Sequence, residues 1–178
     1  TGRGVSYCAT CDGAFYKNKK VAVVGGGNTA LEDALYLVDI AEKVYLIHRR
    51  SEFRGEDSIV NYLRDKKNIQ FVLNSNVTKL NARDKLESIE VTDTSGKTQT
   101  IKVDGLFVAI GRTPENKVFA NLIELDDDGY IEANEHCHTN VDGIFVAGDS
   151  RTKDVRQLVT AVSDGAVAAT EAVKYIGN

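Results

Sequence analysis

Cys8 and Cys11 stand two residues apart, with Ala9 and Thr10 between them and Asp12 directly after. That spacing brings two sulfurs within disulfide reach, and such pairs often hold one thiol whose pKa is lowered to around 7, so thiolate is present at neutral pH. The chemistry implied is dithiol–disulfide exchange. Asp12, beside an attacking or leaving sulfur, is a candidate to accept or deliver its proton. The competing chemistry is half of a zinc site, for which His136, Cys137 and His138 would offer the missing ligands. Those three residues read more simply as an exposed loop between strands. Three cysteines are too few for a disulfide scaffold, so the pair points to redox or metal work.

A second group has the spacing of a phosphate-binding turn. Gly25, Gly26, Gly27, Asn28, Thr29 and Ala30 fit the pattern Gly-x-Gly-x-x-Gly/Ala. Glycines let the backbone turn tightly and approach a pyrophosphate, whose charge meets the free N–H groups and positive dipole of the following helix. A turn that only packs strand on helix has the same composition, so context has to separate the two. Residues 21–24 form a short β-branched run before the turn, and Leu31, Ala34, Leu35 and Val38 follow it at helical spacing. Residues 44–47 then supply a second apolar strand, which makes a right-handed βαβ unit with a parallel sheet. This second strand ends in His48, Arg49 and Arg50, where an NAD-binding protein usually places a carboxylate for the ribose 2′-OH. Guanidiniums there favour the 2′-phosphate of NADP, and Arg54, one helical turn beyond Arg50, could complete the cluster.

The elements that must carry these residues alternate at first and then change. A helix is expected over 56–66, with Ile59, Val60 and Leu63 inward, and a strand over 69–73. Between 77 and 103 there are only short alternating runs joined by Ser95-Gly96-Lys97, an antiparallel meander inserted in an α/β domain. A buried strand over 105–110 ends at Gly111, and Pro114, the single proline, marks the expected domain boundary at 112/113. Beyond it lie a solvated acidic turn at 126–129 and a last apolar strand over 144–147 running into Gly148 and Asp149. A final helix carries Leu158, Val162, Ala166, Ala169 and Val173 on one face. The expected fold is α/β: a three-layer, Rossmann-like domain with a parallel sheet and an antiparallel β-meander, followed by part of a second such domain.

Bulk properties exclude several classes. A net charge of −4 with 42% hydrophobic residues offers no excess of basic groups for nucleic acid or an anionic membrane. No run reaches the ~18 apolar residues of a membrane span, and the start has no apolar stretch like a signal peptide, so the default address is the cytoplasm. The chain opens on Thr1 and contains no methionine, which suggests a product cut from a longer polypeptide.

Taken together, residues 8–13, the turn at 25–30 and His48-Arg49-Arg50 with Arg54 closely resemble the low-molecular-weight thioredoxin reductases. The resemblance runs the whole chain. It implies that Cys8 and Cys11 are the redox pair, that Asp12 is the proton-transferring acid, and that the dithiol belongs to the NADPH domain, residues 1–112. It implies too that residues 113–178 are the returning segment of a FAD domain whose opening segment is missing. In that segment residues 139–149 resemble the second FAD motif, with Gly148 and Asp149 meeting the flavin ribityl chain. Arg156, Gln157 and Leu158 sit where the family contacts the isoalloxazine ring, and Gly111 lies in a connection about which the NADPH domain swings. The implied activity carries electrons from NADPH through FAD and Cys8–Cys11 to thioredoxin, in a parent that is a homodimer. The flavoprotein subunit of alkyl hydroperoxide reductase has a similar dithiol but prefers NADH and lacks the basic strand end. An alternative is that the chain alone is an inactive NADPH-binding module without bound flavin.

Overall fold

In the computed structural model, which describes residues 1–177, the chain divides into two compact units, Thr1–Gly111 and a second from Arg112 onward. The first unit is built on a five-stranded parallel sheet in the order β1-β8-β2-β3-β4. Its strands are β1 (Val5–Ser6), β2 (Lys20–Val24), β3 (Lys43–Ile47), β4 (Ile69–Val72) and β8 (Gly105–Val108). A three-stranded antiparallel sheet, β5 (Ser75–Ala82), β6 (Leu86–Asp93) and β7 (Thr98–Lys102), forms the expected meander.

Period-two alternation along the central strands assigns the layers. Val21 and Val23 of β2, with Val44 and Leu46 of β3, pack against α2 (Asn28–Val38) and α3 (Asp57–Arg64) through Leu31, Ala34, Leu37, Val60 and Leu63. Ala22 and Ile47, one residue out of phase, pack against Leu86, Ile89, Val91 and Ile101 of the antiparallel sheet. The parallel sheet is therefore covered on both faces, which is why its strands read as continuous apolar runs. Helices, parallel sheet and antiparallel sheet make the three layers. The short helix α1 (Ala9–Asp12) follows edge strand β1, and Ala9 is buried in the helical layer.

The second unit holds little regular structure before its one long helix, α4 (Leu158–Gly177). Its small core is Ile123, Ile131 and Val146. The strand expected over 144–147 does not form. Phe145 makes a single antiparallel bridge with His138, and the Ile144 N–H closes a turn onto Val141. An apolar run of that kind needs a neighbouring strand on at least one side, and this segment finds only a bridge.

The apolar stripe of α4 faces outward: Leu158, Val162 and Val173 are 83%, 65% and 71% exposed, while Asp164 is the buried residue of the helix. Among the described residues, no helix is long and apolar enough to cross a membrane.

Candidate functional site

The dithiol is closed: Cys8 and Cys11 form a disulfide with their Cα atoms 5.3 Å apart. Cys8 is the N-cap of α1, so the first helical turn itself sets the two-residue spacing, and Cys11 is the more exposed of the pair. The Cys11 N–H donates to Cys8 Sγ at 3.2 Å, and the Thr10 hydroxyl, the only side with a proton to give, donates to the same sulfur at 3.3 Å. Two buried polar groups fix this turn. Ser6 Oγ accepts from the Cys8 N–H at 3.1 Å and donates to Asp12 Oδ2 at 2.7 Å. From α2, Asp33 Oδ1 accepts from the Ala9 N–H at 3.3 Å. Tyr16 stands nearby with its hydroxyl pKa pushed up by burial and by the charges of Asp12 and Asp104. Ser6 and Asp33 carry no sequence signal of their own. The extended residue before a capping cysteine and a buried carboxylate inside an apolar helix are the two features that could have drawn attention to them.

The glycine turn leads from β2 into α2, with Gly27 as the N-cap. Its close packing is visible in what a side chain would meet: a Cβ on Gly25 would overlap the Ala109 carbonyl and Ala30, and one on Gly26 would overlap the His48 ring. Asn28 turns its side chain back to accept from the Glu56 N–H at 2.8 Å, and Thr29 lies exposed at the start of the helix. The Arg54 N–H donates to the Gly26 carbonyl at 2.7 Å, which ties the basic loop to the turn. His48 is buried beneath the turn and stacks on Phe53 at 5.3 Å. Its pKa is lowered by burial and by the three neighbouring arginines, against a hydrogen bond to the Glu52 backbone, so the ring is held neutral. Arg49, Arg50 and Arg54 are exposed, and none forms a salt bridge with a described residue. Gly25, Gly26, His48, Arg49, Arg54 and Ile110 line a cleft of about 320 Å³ at the C-terminal ends of the strands. Parallel α/β sheets commonly bind ligands at that end. Gly111 follows Ile110 with a positive φ of 99°.

The second unit has its own cleft, of about 280 Å³, bordered by Arg112, Pro114, Tyr130, Asp149 and Arg156. The Arg156 guanidinium lies 3.8 Å over the Tyr130 ring and donates to the carbonyls of Asp149 and Arg151. The Asp149 side chain is exposed, Gly148 carries a φ of 81°, and the Gln157 N–H donates to Thr160 Oγ1 at 3.1 Å. Leu158 points to solvent. Beneath this cleft sits a charged group that the sequence did not single out. Buried Asp164 pairs with Arg151 at 3.2 Å and with Lys153 at 2.7 Å, and accepts from the Gly148 N–H at 3.0 Å. Burial alone would raise the Asp164 pKa, but these three contacts outweigh it and hold the carboxyl below the usual range. Cys137 is buried, while His136 and His138 are exposed, and His138 pairs with Glu171. Among the described residues, no three His, Cys, Asp or Glu side chains group as a metal site.

Residues 1–165 match the family described as pyridine nucleotide-disulphide oxidoreductase. The chain belongs to that family. Among pyridine nucleotide-disulphide oxidoreductases it is similar to a thioredoxin reductase of Bacillus subtilis, 42% identical over 98% of this chain and 56% of the relative. The corresponding protein of Mycoplasma genitalium is 45% identical over 94% of this chain and 54% of its own length. In three dimensions the chain is similar to the thioredoxin reductase of Streptococcus pyogenes, with a TM-score of 0.93 at 36% identity over 98% of this chain and 58% of that one. The chain thus spans little more than half the length of the relatives it matches. In this chain a disulfide and a glycine turn occur in one α/β unit, and α2 joins them: its N-cap is in the turn and its Asp33 holds the disulfide helix.

Proposed function

We propose that this chain is the NADPH-reading, dithiol-carrying part of a thioredoxin-disulfide reductase, with residues 1–112 as its NADPH domain and 113–178 as the returning segment of its FAD domain. The observation that carries the reading is the Cys8–Cys11 disulfide, anchored by Asp33 to the helix that the glycine turn opens.

The nucleotide fits the first unit. Gly25 and Gly26 pack the turn against Ala109 and His48, Gly27 leaves open space where a Cβ would stand, and the α2 N-terminus that Gly27 caps favours negative charge. Arg49, Arg50 and Arg54, with no carboxylate claiming them, would hold the 2′-phosphate, and His48 supports the turn from below. The second unit carries one flank of a flavin site: the exposed Asp149 carboxylate for the ribityl hydroxyls, and Arg156, Gln157 and Leu158 toward the ring. When bound, FAD supplies the exchange between a hydride and an electron pair that the protein's own side chains lack. The residues of this chain then have distinct tasks. The arginines select NADPH, Asp12 moves a proton at the Cys8–Cys11 sulfurs, and the dithiol reduces the disulfide of thioredoxin. The parent reads as a cytoplasmic homodimer.

A flavin spectrum and a turnover assay test this. FAD is added to the purified chain, and NADPH-dependent reduction of thioredoxin is followed. A colourless chain that binds NADPH but reduces nothing would make it a nucleotide-binding module as it stands. In flavin-bearing protein, Cys8→Ser and Cys11→Ser should each abolish thioredoxin reduction and leave NADPH binding intact. Full turnover in either variant would overturn the dithiol assignment.

A further inference from the structure

We propose that Ser6 is a positioning residue for Asp12: its hydroxyl holds the carboxylate beside the disulfide when Asp12 is ionised and turns to the Cys8 carbonyl when Asp12 carries a proton. This rests on the reading of Asp12 as the acid of the dithiol. Ser6 ends strand β1, fixed by its pairing with Phe107, and is 3% exposed. Its oxygen lies 3.1 Å from the Cys8 nitrogen, 2.7 Å from Asp12 Oδ2 and 3.3 Å from the Cys8 carbonyl oxygen. A hydroxyl has one proton and two lone pairs. The Cys8 N–H occupies one lone pair in every state, so the single proton must choose between two acceptors. An ionised carboxylate wins, because charge-assisted bonds are shorter and stronger, in agreement with the 2.7 Å distance. Once Asp12 is protonated, its own O–H can donate to the second lone pair while the Ser6 proton moves to the Cys8 carbonyl. No buried polar atom is stranded in either state.

The surroundings give this hydroxyl its importance. On the same turn stand both sulfurs and Tyr16; from α2 come Asp33, which accepts from Ala9, and Tyr36, against Gly13; ahead of β8 lies Asp104. Lys19 is a cation in this group, 5.6 Å over the Tyr16 ring. Ser6 is the neutral donor aimed at the Asp12 carboxylate.

The step is the closing of the pair by an external disulfide R–S–S–R. One cysteine thiolate attacks a sulfur of R–S–S–R, forming a mixed disulfide and releasing one RS⁻. The other cysteine gives its proton to the Asp12 carboxylate, and its sulfur attacks the mixed disulfide, closing Cys8–Cys11 and releasing the second RS⁻. Asp12 then returns the proton to solvent. The dithiol loses two electrons, and R–S–S–R becomes two thiolates.

The experiment uses the whole chain, reduced, desalted and mixed with dithiobis(nitrobenzoate). Ring closure is followed as the second equivalent of coloured thiolate from the pair, from about pH 4 to about pH 9. Ser6→Val and Ser6→Thr are near-isosteres suited to a strand, and they differ in the hydroxyl. Ser6→Val should slow closure on the acid limb roughly tenfold, which corresponds to about 1.36 kcal/mol, and leave the alkaline rate unchanged. Ser6→Thr should keep the wild-type profile, and Asp12→Asn should remove the limb. Ser6→Ala adds no bulk and carries the same expectation if the valine variant does not fold. A Ser6→Val profile that overlays the wild type while Asp12→Asn alters it would overturn the inference alone, as would equal slowing in the valine and threonine variants. An Asp12→Asn profile unchanged from wild type would overturn the underlying reading of Asp12.

Discussion

Neutralising Arg49 and Arg50 together, as Arg49→Gln/Arg50→Gln, should weaken NADPH binding and leave NADH binding nearly unchanged. Both guanidiniums are exposed and free of salt bridges with described residues, so their full charge is available to a ligand, but water screens it. Two unit charges at about 4 Å interact by about 1 kcal/mol in water and about 4 kcal/mol at the effective dielectric of a protein surface. For solvent-facing side chains the lower part of that range applies, roughly 1–2 kcal/mol per arginine. The pair then contributes about 2–4 kcal/mol, a loss of about 30- to 700-fold in NADPH affinity. The two nucleotides differ by the 2′-phosphate alone, so NADH serves as an internal control for damage to the glycine turn. Calorimetric titration at two ionic strengths adds a second check. The screening length is about 10 Å at 0.1 M salt and about 3 Å at 1 M, so the wild-type preference should shrink with salt while the variant, with little preference left, stays flat. Equal losses for both nucleotides, or a preference indifferent to salt, would refute the assignment of these arginines to the 2′-phosphate.

Other substitutions test the packing around the sites. Gly26→Ala puts a methyl group into the His48 ring, which is pinned by Phe53, and should destabilise the first unit by about 1–3 kcal/mol in urea unfolding. His48→Ala removes the obstacle, so the double variant should cost less than the sum, and strict additivity would contradict the contact. Asp164→Asn removes the buried negative charge facing Arg151 and Lys153 and should cost roughly 3 kcal/mol, the low end for breaking a buried pair, read from the unfolding of the second unit. The folded Asp164 pKa lies below its ordinary 3.8, so this carboxylate's contribution is fully present above that value and lost as pH falls through the folded one. The wild-type advantage over Asp164→Asn should therefore vanish in acid, and an advantage unchanged by acid would exclude the carboxylate as its source.

The first unit was legible in the sequence because its signals are local. The β-branched run at 21–24, three glycines and a helical stripe describe one βαβ turn without reference to anything distant, and β6 and β7 announce themselves by alternation and close spacing. Ser6 and Asp33 were invisible for the opposite reason: their contacts depend on where β1 and α2 lie in space, and β1 is two residues long. In the second unit the sequence shows a periodic apolar stripe on α4. Periodicity shows that apolar groups share a side, but it does not supply the surface that covers them. In this chain that side faces solvent, and the helix is held instead by Asp164, whose partners Arg151 and Lys153 precede it in a stretch without periodicity.

The anchoring of the dithiol explains why a helix of only four residues can hold a reactive disulfide. An isolated turn of that length does not persist in water, because helix nucleation fixes several residues for one hydrogen bond. Here the ordering is supplied from outside: Ser6 takes the Cys8 N–H, Asp33 takes the Ala9 N–H, and Ala9 itself is buried in the helical layer. The N–H groups that a short helix leaves unpaired at its start are thus satisfied by a strand and by a long helix, both parts of the rigid sheet domain. Cys11 closes the turn onto Cys8 and is the more exposed residue of the pair. One face of the turn is fixed to the domain that carries the glycine turn, and the other is open to solvent.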